Sequence, residues 1–334
     1  MSNLKNFAVS LTGIGELSYT EIPYPTPNDD EVIVKIMRCG ICGSDIDRVF
    51  KNGTYHFPTV PGHEISGIVV YDKTGLLTGM RVAVFPLLPC FSCDKCKIGN
   101  YACCDNYDYY GSRRDGGFSE YLAVKKFNLV PLPDNVTYEV GALCEPMAVA
   151  FHACRKLGNI ENKKVLVSGA GTIGLIIARI LKAKGAKAVY FIENDASKIE
   201  FLENSGFYTY NGQENMDCGI EGTGVDKVLV KMIDAVKASS LIVLMGNPSR
   251  QLQLSEREYQ QILRKELVLC GMWNSSYAVQ DNDWRGVLEL VSNGQLVVDD
   301  LVTHIFPLQE TASALELMKD KKQFFIKVMI SNEK

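Results

Sequence analysis

No apolar run in this chain reaches the ~18 residues that a membrane-spanning helix needs, so a span through a bilayer is not expected. Neither sign of charge is in excess: 35 lysines and arginines stand against 39 aspartates and glutamates, a formal net charge of −4. A mildly acidic, mixed surface has no electrostatic reason to seek nucleic acid or anionic lipid. The first ten residues lack the apolar core of a secretory signal, which points to a cytoplasmic protein. Internal repeats and low-complexity stretches are absent as well.

What is present suits two packed domains. The chain has 334 residues, 46% of them hydrophobic, enough for two ordinary cores. Its 11 cysteines, in a reducing compartment, argue for metal ligands and buried thiols rather than disulfides. Residues 1–147 read as short strands with Gly/Pro punctuation, among them Val32–Met37 and Arg81–Val84. This half is expected to be a β domain. The texture then changes. An apolar strand at Lys164–Ser168 leads into glycines, an apolar helical stretch from Ile173 to Ala186 and a second strand at Val189–Ile192. Strand–helix–strand at this spacing demands a parallel sheet. Further strands are expected at Lys227–Val230, Leu241–Met245 and Leu267–Leu269, and an amphipathic helix near Arg285–Val291. The domains are therefore expected at 1–147 (with a cysteine lobe at 86–105), 148–272 and a return segment at 273–334.

Three motifs carry chemistry. Cys90, Cys93 and Cys96 follow C-x2-C-x2-C, with Cys103 and Cys104 just beyond. Four thiolates in so short a stretch can wrap one tetrahedral zinc and leave no position for water, which makes a structural site. An iron–sulfur cluster is the rival reading. Gly169-Ala170-Gly171-Thr172-Ile173-Gly174 is G-x-G-x-x-G, set between a strand and a helix. Its glycines permit a tight turn and let a pyrophosphate approach the helix N-terminus. Glu193 ends the next strand, where an acid can accept both ribose hydroxyls and repel a 2′-phosphate; NAD is therefore expected rather than NADP, with Asp195 a second candidate. Finally, Cys39-Gly40-Ile41-Cys42-Gly43-Ser44-Asp45 precedes Gly62-His63-Glu64. Cysteine, histidine and carboxylate are zinc ligands, and three of them with one open position make a catalytic site.

Gly62-His63-Glu64, the cysteine lobe and the later G-x-G-x-x-G together resemble the zinc-containing medium-chain dehydrogenase/reductase family along nearly the whole chain. The resemblance implies an α/β protein: a GroES-like β domain with an inserted Rossmann dinucleotide-binding domain. The segments Pro86-Leu87-Leu88-Pro89-Cys90-Phe91, Gly111–Phe118 and Ile262–Leu267 resemble family members acting on polyol phosphates more than they resemble sorbitol dehydrogenases. Hydride transfer from a secondary hydroxyl of a polyol or polyol phosphate to NAD is thereby implied, with galactitol 1-phosphate favoured. The family spacing selects Cys104 as the fourth lobe ligand. Cys42 and His63 become ligands of a second, catalytic zinc, so that two zinc ions are bound per chain. The third ligand is implied to be Glu145, in Glu145-Pro146, rather than the neighbouring Cys144; Glu64 would approach the metal in some states. Asp45 would orient His63 from behind, and Ser44 would pass the hydroxyl proton outward, although Asp47 stands where a relay histidine is common. Arg48, Arg113 and Arg114 are candidates to meet a substrate phosphate, and Trp273 and Asn274 to line the pocket. The resemblance further implies a homodimer or homotetramer with a small-molecule substrate. A non-catalytic NAD and zinc sensor is the reading of a different class.

Overall fold

The computed structural model describes residues 5–333. The chain forms two compact units, Met1–Pro146 together with Ser276–Lys334, and Met147–Ser275. The first unit is built on a seven-stranded sheet. Its main order is Val302–Pro307, Lys327–Ser331, Glu31–Gly40, Glu64–Tyr71, Arg81–Val84 and Leu129–Pro131, with Tyr121–Lys125 also paired to Glu31–Gly40. The strand Glu31–Gly40 is central because three others pair with it. Its Val32, Ile33, Val34 and Ile36 are fully buried, and such a run of β-branched side chains fills both faces of a pleated strand. The C-terminal return adds Lys327–Ser331 antiparallel to this strand, with Met329 opposite Gly40 and Ile330 opposite Cys39.

Helices also occur in this unit. Asp283–Ser292 carries Trp284, whose ring lies 5.6 Å from Phe85 and 6.2 Å from Tyr277. The helix forms where an amphipathic one is expected near Arg285–Val291, and the Asn282 side chain caps it by accepting from the Arg285 N–H.

The second unit is a six-stranded, wholly parallel sheet. Its order is Tyr208–Thr209, Ala188–Ile192, Lys164–Ser168, Met216–Glu221, Val236–Leu244 and Val268–Gly271. In sequence order within the unit this is the 3-2-1-4-5-6 arrangement of a doubly wound dinucleotide fold. One expected strand is corrected. Lys227–Val230 lies inside the helix Asp226–Ala235, in which Leu229, Met232 and Ile233 are buried. Apolar residues at i, i+3 and i+4 form a helical stripe, and the short run Val228-Leu229-Val230 masked that period. The strand at this point of the sheet is Met216–Glu221. Among the described residues no helix is long and apolar enough to cross a membrane.

Trp284 is 1% exposed and packs edge-on against Phe85. Trp284→Ala is expected to cost ~3–5 kcal/mol through the cavity it leaves. A denaturant midpoint measured at fixed zinc checks this; a change below ~1 kcal/mol would show that the aromatic cluster is not a core.

Candidate active site and metal centres

In the cysteine lobe, the thiols of Cys90, Cys93, Cys96 and Cys104 lie within 4.8 Å of one another. The sulfurs of Cys90 and Cys96 are 3.9 Å apart, as are those of Cys93 and Cys104. Tetrahedral Zn–S bonds of ~2.3 Å put sulfurs ~3.8 Å apart, so the four thiols have the size of a single-ion site. A cluster would interpose its own iron and sulfide and push the thiols outward. Backbone N–H groups point inward: that of Cys90 donates to Cys104 Sγ at 3.3 Å and that of Cys93 to Cys90 Sγ at 3.4 Å. With the Ser92 hydroxyl and N–H also donating to it, Cys90 is lowered to about 5, toward the thiolate a metal requires. Cys103 is exposed, whereas Cys104 is buried among the four.

The second set forms at the central strand. Ligand atoms of Cys42, His63 and Glu64 lie within 4.8 Å of one another. Cys42 caps the short helix Gly43–Asp47, its own N–H donating to Asp45 Oδ2 at 2.9 Å. His63 follows Gly62, whose φ of +90° suits glycine. A Cβ on Gly62 would lie 2.7 Å from the Phe118 ring and 2.8 Å from Cys39 Sγ. Glu64 pairs with Gly40 across the strands and lies over it; a Cβ there would meet Glu64 Oε2 at 2.0 Å. The third group of this trio is thus Glu64. Glu145, the expected third ligand, stands outside it, buried at the start of Cys144–Lys156 with Oε1 3.4 Å from the Tyr109 hydroxyl. Cys144 is fully buried, a packed core thiol.

The electrostatics explain how so many charges stay buried. His63 Nδ1 lies 3.3 Å from Asp45 Oδ1, within ion-pair reach but outside hydrogen-bond geometry. That orientation leaves Nε2 for a metal. Burial alone would lower the His63 pKa, but the Asp45 carboxylate outweighs it and holds it well above the usual value. Burial would likewise raise Asp45, but His63 and Arg48 pull it below the usual carboxylate range. Glu145 is pushed up to about 7 by burial, with Glu64 adding to the rise and His63 opposing it. Glu64 has its own counter-ion in Lys327, whose Nζ reaches Glu64 Oε1 at 2.7 Å, also contacts Oε2, and donates to the Ile41 carbonyl at 3.0 Å. Motif reading missed Lys327. The available signal was one cation inside the apolar run Phe324–Ile330, where a buried lysine requires a partner.

The arginines separate into three environments. Arg48 Nη1 donates to Ser44 Oγ at 2.8 Å and Asp45 Oδ1 at 3.1 Å. Arg114 pairs with Asp108 at 3.3 Å. Arg113 lies between the rings of Tyr55 and Tyr107, its guanidinium carbon 4.3 and 4.2 Å from their centroids. Asp47 is tied to Lys51 at 2.7 Å, on the surface. Trp273 and Asn274 belong to the second unit; Trp273 is 56% exposed and Asn274 has a φ of +55°.

The glycine loop closes the strand Lys164–Ser168 and opens the helix Thr172–Ala183, with Gly171 as its cap. Each glycine answers a different need. Gly169 has a φ of +84°, and a Cβ on Gly174 would lie 2.0 Å from the Gly169 carbonyl oxygen. A Cβ on Gly171 would meet nothing within 4 Å, so bare backbone faces open space at the helix start. No side chain caps that end, and a helix N-terminus of this kind suits a phosphate. Glu193 Oε2 accepts from the Ala170 N–H at 2.8 Å, and Oε1 from the N–H groups of Asn194 and Asp195 at 2.7 and 3.0 Å.

Known proteins resemble this chain over nearly its whole length. Residues 28–134 match the alcohol dehydrogenase GroES-like domain, and residues 138–331 the glucose dehydrogenase C-terminus. The galactitol 1-phosphate 5-dehydrogenase of Escherichia coli K12 is 34% identical over 331 residues, covering 93% of this chain and 95% of that one. The sorbitol dehydrogenase of Bombyx mori is 31% identical, covering 98% and 99%. The crystal structure of galactitol-1-phosphate dehydrogenase from Escherichia coli superposes with a TM-score of 0.90 at 33% identity, covering 97% and 99%.

Four thiols at single-ion spacing suit a metal, so Cys96→Ser is expected to lower metal content by about one ion per chain and to lower the melting temperature. Elemental analysis with a thermal melt measures both. Unchanged metal content in Cys96→Ser would show that the lobe holds none.

Proposed function

The chain belongs to the zinc-containing medium-chain dehydrogenase/reductase family, oxidoreductases acting on alcohol groups, and from that premise we propose that it oxidises a secondary hydroxyl of a polyol phosphate, galactitol 1-phosphate being favoured, with NAD as acceptor. The observation that carries this reading is the trio of half-buried Cys42 and buried His63 and Glu64, gathered where the end of the strand Glu31–Gly40 pairs with the start of Glu64–Tyr71, with Asp45 behind the histidine and Lys327 behind the glutamate. Thiolate, imidazole and carboxylate form a donor set suited to zinc, and the four-cysteine lobe takes a second, structural ion. Bound zinc supplies the Lewis acidity that lowers a substrate hydroxyl's pKa, and the dinucleotide supplies the hydride acceptor.

The chain's own groups perform the rest. Asp45 holds His63 in one orientation, and Arg48 holds Asp45. Ser44 Oγ accepts a hydrogen bond from Arg48, so its own proton is directed away from that arginine. Ser44 can therefore donate that proton onward as it takes the one leaving the substrate hydroxyl. Asp47, bound to surface Lys51, leaves water as the next carrier. Lys327 neutralises Glu64, and Glu145, turned to Tyr109, supplies a second carboxyl beside the metal position. In the second unit, Gly169, Gly171 and Gly174 shape the phosphate cradle, and the Glu193 carboxylate favours ribose hydroxyls over a 2′-phosphate. A cytoplasmic homodimer or homotetramer is the proposed working form.

The test is NADH formation with galactitol 1-phosphate, galactitol, sorbitol and a simple alcohol, before and after chelator treatment. Chelator-sensitive oxidation of the phosphate ester is expected to exceed the others. Activity confined to free polyols would replace the substrate and keep the chemistry; no oxidation by zinc-loaded protein would favour a sensor. For the cofactor, Glu193→Ser is expected to raise the rate ratio of NADP to NAD by about tenfold, one removed repulsion of ~1.4 kcal/mol. An unchanged ratio would dissociate Glu193 from ribose selection.

A further inference from the structure

Three arginines stand near the metal-binding segments, and only their partners tell them apart. Arg48 is held by Asp45, and Arg114 by Asp108. Arg113 has no carboxylate within ion-pair reach among the described residues, and its charge is met only by neutral groups. Nη1 donates to the Tyr107 carbonyl at 3.1 Å, and Nη2 to the Tyr55 hydroxyl at 3.1 Å. The Tyr55 and Tyr107 rings lie against the guanidinium. A guanidinium carries five N–H donors, so three of them are left without a partner. The two rings lie over its planar group and leave its remaining N–H groups to the edge, through which arginine binds an oxyanion with two or more parallel bonds.

The position of this cation relative to the metal ligands is also fixed. Rings form a continuous path: Tyr107 is 6.3 Å from Tyr109, and Tyr109 is 5.8 Å from His63. The arginine loop is clamped onto the residue preceding His63. The Gly117 N–H donates to the Gly62 carbonyl at 2.8 Å. Cβ atoms on Gly111 and Gly116 would lie 2.5 and 2.1 Å from that same oxygen. The backbone of the loop that carries Arg113 is therefore held against the residue before His63.

We propose that Arg113 anchors the anionic end of the substrate, binding a phosphate monoester while the hydroxyl to be oxidised sits at Cys42, His63 and Glu64. This rests on the reading of that trio as an alcohol-oxidising centre. A phosphate monoester presents three terminal oxygens to three vacant N–H groups. A carboxylate presents two, and a free polyol brings no charge to meet the guanidinium. Arg48 and Arg114, already neutralised, keep structural duties.

The experiment compares galactitol 1-phosphate with galactitol in the zinc-loaded wild type, Arg113→Gln and Arg113→Lys. It follows kcat/KM and, independently of turnover, calorimetric binding of each compound. Arg113→Gln is expected to lower the phosphate-to-free ratio of kcat/KM at least about tenfold and to weaken phosphate-ester binding by the same factor. Arg113→Lys, keeping charge without the fork, should recover part of both. Zinc content and melting temperature identify a variant that has simply misfolded, and Arg113→Lys then decides. Equal losses on both compounds, or an unchanged ratio, would overturn the assignment. So would wild-type preference for a polyol carboxylate over the phosphate. Binding that depends on Arg113 without any oxidation would instead overturn the dehydrogenase reading and leave the anchor standing.

Discussion

The backbone of Gly62 is the constraint on which the first unit's chemistry depends. It turns at positive φ directly before His63, and its carbonyl receives the loop that carries Arg113 and Arg114. Phe118 and Cys39 leave no space for a side chain on Gly62, and the Gly62 carbonyl leaves none on Gly111 or Gly116. Close backbone packing of this kind is stiff, because interiors have few voids into which atoms can move. A buried histidine, its neighbouring carboxylate and a cationic loop are therefore positioned by one contact rather than by three independent ones.

Around that contact, buried charges are arranged so that each has an answering group. Asp45 lies between His63 and Arg48. Glu64, 1% exposed, faces Lys327, 3% exposed, from two strands that flank Glu31–Gly40 and are far apart in the chain. Taking such ions from water is costly unless partners and hydrogen bonds compensate. Lys327 also donates to the Ile41 carbonyl beside Cys42, so the return segment of the chain completes the ligand environment that the N-terminal segment begins. Glu145, which lacks so direct a partner, has its pKa raised by burial instead.

The second unit uses backbone rather than charge. Its parallel sheet delivers the glycine loop to the end of a central strand, and the loop's three glycines meet three separate geometric demands. Neighbouring strands start from the same edge of the sheet, so Glu193 ends one strand over, within hydrogen-bond reach of the Ala170 N–H. Strand, turn and helix were readable in advance because the whole device occupies about thirty consecutive residues.

Sequence by itself determined what short spacing can determine. Four thiols within fifteen residues can only curl around a common point, and alternating or 3.6-residue apolar periods name their elements. Where the apolar run is brief, as at Lys227–Val230, it reads as a strand although a helix stands there. Tertiary structure decided everything that depends on distant segments meeting: that Glu64 lies with Cys42 and His63, that Lys327 neutralises it, and that Arg48 is committed to Asp45 while Arg113 is not. The reason is physical. Donor type is written in each residue, but whether a charge is free or answered depends on its neighbours in space, and those are set by strand pairing and packing across the chain.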